Sequence, residues 1–166
     1  TAYGFTAMDA ITTGDQNTAV GYGAGGSLTT GTGNVSLGYR AGINLTTGHN
    51  NVAIGSNALL TEDGDGGNVA IGTSALKDLN AGADAYNVAV GHAAGENVTT
   101  GIRNVLIGGL AGDALTTGGN NIAIGYEALT TEDGDGRNIA IGTNSLQTLN
   151  AGSDAYNVAV GFASGA

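Results

Sequence analysis

The residues with the clearest capacity for chemistry sit in a duplicated acidic turn. Thr61-Glu62-Asp63-Gly64-Asp65-Gly66 returns as Thr131-Glu132-Asp133-Gly134-Asp135-Gly136, which places three carboxylates within four residues on a glycine-rich loop. Calcium takes carboxylate and carbonyl oxygens from such loops, so Asp63, Asp65, Asp133 and Asp135 are candidate ligands and calcium the candidate cofactor. The loop lacks the bidentate Glu of an EF-hand and does not recur every nine residues as calcium-binding β-rolls do. Asp-Gly pairs also form plain turns, and that reading stands beside the first.

Catalysis finds less to work with. His49 and His92 stand at non-equivalent offsets, no Ser lies in a Gly-x-Ser-x-Gly turn, and the chain has no Cys. Gly-rich strings occur everywhere, so none singles out a phosphate loop, and the expectation is a protein that is not an enzyme. Aromatic residues give a sharper pattern. Phe5, Tyr22, Tyr39, Tyr126 and Phe162 each follow a recurring Gly directly, and His92 stands on the same column. A row of exposed rings suits stacking on the faces of a glycan and equally suits burial against another protomer.

What positions these residues is a repeat. The string Asn-(Val/Thr/Ile)-Ala-(Val/Ile)-Gly begins at Asn17 and returns, with small variations, at Asn34, Asn51, Asn68, Asn87, Asn104, Asn121, Asn138 and Asn157. The spacings run 17, 17, 17, 19 and then 17, 17, 17, 19, so four coils make a 70-residue unit. Units 17–86 and 87–156 match at about 60% of positions, as a duplication would leave them. The expected organisation is one repeat domain: a partial coil 1–16, the two four-coil units, and a partial coil 157–166. Both ends fall inside a repeat, which predicts a stretch of a longer array.

Five residues with alternating character are a strand rather than a helix, and the Gly after them is the residue that turns a corner at positive φ most cheaply. Larger apolar residues are expected inside, which puts Val52, Ile54, Val69, Ile71, Ile122 and Ile124 in the core and Ala19, Ala53, Ala70, Ala89, Ala123, Ala140 and Ala159 on the outside. Such a small-residue stripe suggests packing against a partner. Three residues past the corner Gly a small residue recurs, and four later an aliphatic one (Leu28, Leu45, Leu79, Leu115); both columns are expected inside. The fold class is therefore all-β, a parallel β-solenoid or β-roll of about nine to ten coils stacked at roughly 4.8 Å, with the Asn column as an internal ladder.

Composition agrees and excludes other classes. The 166 residues hold 32 Gly and no Pro, without the strict three-residue period of collagen. With 4 basic and 14 acidic residues the net charge is −10, which repels nucleic acid. No apolar run reaches the roughly 18 residues of a membrane span, so no membrane insertion is expected.

The Asn-Val-Ala-Ile-Gly string followed by a small residue resembles the head repeats of trimeric autotransporter adhesins (YadA-like), whose left-handed β-rolls use a similar string. The longer pattern Asn17-Thr-Ala-Val-Gly-Tyr-Gly-Ala-Gly25, with its Thr29-Thr30-Gly31 turn, is similar to repeats of bacteriophage tail fibres and bacterial surface proteins. The resemblance spans the whole chain. It implies a left-handed solenoid in a homotrimer, an extracellular place on a virion or bacterial surface, and a cell-surface glycan or protein receptor. The leading expectation is an adhesive fibre segment that presents a receptor-binding surface. The alternative is an ice-binding solenoid, because Asn-x-Val-x-Gly coils also resemble a grass antifreeze β-roll and the pairs Thr12/Thr13, Thr29/Thr30, Thr46/Thr47, Thr99/Thr100 and Thr116/Thr117 form a column. An ice-facing plane must repeat on nearly every coil, and this column breaks in two of the four coils of a unit, those that begin at Asn51 and Asn68.

Overall fold

Each Asn-x-Ala-x-Gly segment becomes a three-residue strand because β-branched residues flank its centre and a glycine stops it. A computed structural model describes residues 1–64, 66–131, 136–149 and 156–165. Its strands are β1 (Ala2–Tyr3), β2 (Thr18–Val20), β3 (Val35–Leu37), β4 (Val52–Ile54), β5 (Val69–Ile71), β6 (Val88–Val90), β7 (Val105–Ile107), β8 (Ile122–Ile124), β9 (Ile139–Ile141) and β10 (Val158–Val160). They form one sheet in sequence order, every neighbouring pair parallel and in register, as in Ala53 opposite Ala70 and Ile54 opposite Ile71. The expected parallel β-solenoid is the fold.

The corner explains why glycine recurs there. Gly72 has φ +137, and a Cβ on it would lie 2.2 Å from the carbonyl oxygen of Gly91 on the next coil; Gly91 meets Gly108 in the same way at 2.4 Å. Stacked corners approach too closely for any side chain, so the requirement passes from coil to coil.

The strand faces are the reverse of the sequence expectation. Ala53, Ala70, Ala89, Ala123 and Ala140 are fully buried, with Ala19 and Ala159 nearly so, while Val52, Ile54, Val69, Ile71, Ile122 and Ile124 are half-buried and point outward. The reason is width. The interior of a coil is already occupied by the expected columns, Ala24, Ala41, Ala58 and their equivalents together with Leu28, Leu45, Leu79 and Leu115, all buried. Only a methyl group fits opposite them, so the larger residues of the strand must face out. Where a larger residue does face in, glycine makes room: a Cβ on Gly95 or Gly112 would lie 2.6 or 2.7 Å from a methyl of Leu106, and one on Gly42 would lie 2.8 Å from Ser36 Oγ. In the coils of Ala53, Ala70, Ala123 and Ala140 that glycine position holds Leu59, Leu76, Leu129 or Leu146, each in the left-handed region at φ 47 to 57, whereas the coils of Ala19, Ala89 and Ala159 keep glycine there.

Candidate functional site

The acidic turn divides between inside and outside. Glu62 is fully buried, on the column where neighbouring coils carry Leu45 and Leu79, and Asp63 is exposed. The Asp63 carbonyl oxygen accepts from Thr46 N (2.7 Å), Thr47 N (3.1 Å) and Thr46 Oγ1 (2.6 Å), so it is engaged in the coil-to-coil ladder. Asp65, Asp133 and Asp135 lie outside the described residues. Among the described residues no group of three or more His, Asp or Glu side chains is close enough to share a metal ion.

Burial removes the alanine stripe from the surface, and the feature that replaces it is the outward strand face. Two columns of Val, Ile and Leu run along it in register, Val20, Leu37, Ile54, Ile71 and Val90 forming part of one. No charged residue occupies a strand or the position after a corner glycine, although the chain carries 18 of them. Eight strands, β3 to β10, at about 4.8 Å and a width near 10 Å give an apolar footprint of roughly 400 Å², within the size range of the largest and often functional patch on a monomer. Sequence reasoning missed this face by assuming that larger means deeper. The pairing of Leu106 with Gly95 and Gly112 was the available signal that the strand centre faces a filled interior.

The ring column is exposed and uneven. Phe5 stacks on Tyr22 with centroids 5.7 Å apart and planes 17° from parallel, and Tyr22 on Tyr39 at 5.5 Å and 15°. Tyr126 stands apart from these, over Gly109, where a Cβ would meet its ring at 3.5 Å. A hydrogen bond to Glu127 holds the Tyr126 hydroxyl above its ordinary range. His92 and Phe162 are exposed on the same column.

The remaining polar residues serve the scaffold. Asn34 N donates to Asn17 Oδ1 (2.9 Å), Asn34 Nδ2 donates to Gly48 O (2.8 Å), and Asn51 N donates to Asn34 Oδ1 (2.9 Å), a pattern that repeats along the buried Asn column. The first Thr of four of the five pairs is spent in the same way: the hydroxyls of Thr12, Thr29, Thr46 and Thr99 each donate to a backbone carbonyl one coil on. Lys77 pairs with Glu96 across coils, and the Glu96 hydrogen bond raises its pKa despite partial burial. His49 and Tyr86 both reach Asp84, at 3.4 and 3.2 Å, across Gly66 and Gly67, whose missing side chains leave room for the two rings.

No pocket opens among the described residues, and no helix there is long and apolar enough to cross a membrane. What the geometry offers is surface: a flat apolar face and a ladder of rings beside it. Comparison of the chain with protein-family models, with curated proteins and with solved structures gives no match, so these two surfaces carry the functional argument.

Proposed function

We propose that the chain is a structural and adhesive segment of an extracellular fibre, on a virion or a bacterial surface, that assembles with copies of itself as a trimer and presents a receptor-binding surface. The observation that supports this reading is the uncharged Val/Ile/Leu face along β3 to β10 of a molecule whose acidic residues lie elsewhere. A second copy carries ridges of the same period, so apolar columns meet along the whole rod while the charged sides stay in water. The subunit contact is thus the outward face of the strands and not the buried alanine column.

Mass in solution tests it. Ile54→Asp together with Ile124→Asp places two carboxylates on the face without entering the core. The wild-type chain is expected at three times its mass and the variant at one, with an unchanged circular dichroism spectrum. A monomeric wild-type chain overturns the reading, and thermal hysteresis measured on that monomer would move the argument to ice binding.

A further inference from the structure

The ring column holds one opening. Backbone bonds show that its positions stack directly: Arg40 N donates to Tyr22 O (2.8 Å), Asn57 N to Tyr39 O (2.9 Å), Ser74 N to Ser56 O (2.9 Å) and Ala93 N to Thr73 O (2.8 Å). The column therefore reads Tyr22, Tyr39, Ser56, Thr73, His92 on successive rungs. Tyr22 has ring neighbours on both sides, Phe5 and Tyr39, so neither of its faces is open to a ligand. Tyr39 stacks on one side only, and on the other the next rung presents a serine. Two rungs without a ring leave a shallow surface notch rather than a pocket, about 14 Å from the Tyr39 backbone to that of His92, with the Tyr39 ring at one end and the hydroxyl-bearing Ser56 and Thr73 between. On the later part of the column the Tyr126 ring leans over Gly109 on the rung before it, and a single rung without a ring, that of Thr143, separates it from Phe162.

A pyranose has the matching chemistry: C–H groups on one face to lie against a ring, and equatorial hydroxyls at its rim to bond with side-chain oxygens. The notch also lacks a carboxylate. Arg40, on the Tyr39 rung, makes no ion pair among the described residues, and its stem lies by Gly23 on the side away from the notch. We propose that the notch between Tyr39 and His92 is a saccharide subsite, in which one pyranose ring stacks on the open face of Tyr39 over Ser56 and Thr73. This deepens the adhesive reading and rests on it for the class of ligand.

Saturation-transfer NMR with two probes tests it: a neutral hexamer of β-1,4-linked N-acetylglucosamine, and an acidic hexamer of galacturonate. Transfer to the pyranose C–H protons of at least one probe is expected, and which one responds identifies the sugar type. Tyr39→Ala is expected to lower it at least fivefold. Ser56→Tyr continues the stack by one ring and closes the notch, so it is expected to abolish transfer while the melting temperature stays at or above the wild-type value. Tyr126→Ala is expected to leave transfer unchanged. No transfer to either probe overturns the proposal, as does transfer that survives Ser56→Tyr or Tyr39→Ala. Mass in solution separates this outcome from failure of the fibre reading: Tyr39→Ala is expected to keep the wild-type mass whatever that mass is, and a changed mass makes the column a protomer contact and overturns the subsite.

Discussion

At the scale of single residues, the solenoid depends on positions where no second choice exists. Gly72→Ala sets a methyl group 2.2 Å from the Gly91 carbonyl oxygen at φ +137. A loss on the order of 3 kcal/mol or more is expected, measured by denaturant unfolding. The Asn column is equally exacting. Asn104 donates from its side chain to Gly118 O and accepts from Asn121 N, both at 2.9 Å and fully buried. Asn104→Ala leaves a donor and an acceptor unmet, a cost of about 1–3 kcal/mol for each group, read by the same measurement. Asp113 gives a pH signature. Burial, aided by the nearby carboxylates of Glu127 and Glu96, raises its pKa above the ordinary carboxylate value. A carboxyl raised in the folded state contributes most stability below its unfolded pKa and loses it as pH rises through the folded one. Stability is therefore expected to fall across the region just above pH 4, and Asp113→Asn is expected to flatten that fall in melting curves taken from pH 3 to 7.

At the scale of the coil, volume is matched between the strand centre and the left-handed turn that faces it. Leu106→Ala opens a cavity beside Gly95 and Gly112 and is expected to cost about 2–5 kcal/mol, whereas Ala70→Leu crowds the interior next to Leu59 and Leu76 and is expected to cost about 1–3 kcal/mol. Chemical denaturation of the two variants checks both. The element pattern was legible in the amino-acid sequence because it rests on spacing: Asn-x-Ala-x-Gly marks each strand and each corner, and the 17- and 19-residue steps carry through into the register of the sheet. Which face of Val52-Ala53-Ile54 turns inward was not legible from alternation, since period two gives two faces without saying which is buried. Interior width decides it, and that width is set by residues five and nine positions past the strand centre. The notch at Ser56 was hidden for a different reason. A ring column reads alike whether its rings stack or stand apart, and only the 5.5 Å contact of Tyr22 with Tyr39 shows which faces are taken.

At the scale of the whole molecule, a net charge of −10 spread over the sides opposes compactness, and the neutral strand face takes no part in that repulsion. Added sodium chloride is expected to raise the melting temperature up to a few hundred millimolar by screening, without dissociating an assembly held by apolar columns; calorimetry and mass measured together check it. The sheet order β1 to β10 has one further consequence, a mechanical one. Among the described residues each coil is hydrogen-bonded to the coils before and after it and to no others, and those bonds run along the rod. A pull on the two ends would therefore draw coils off in succession rather than break the molecule at once. A 17-residue coil released this way supplies at least about 56 Å of extended chain in place of a rise near 4.8 Å. Stiff at rest, the rod becomes under load a tether that pays out more than tenfold and re-forms from any coil left standing.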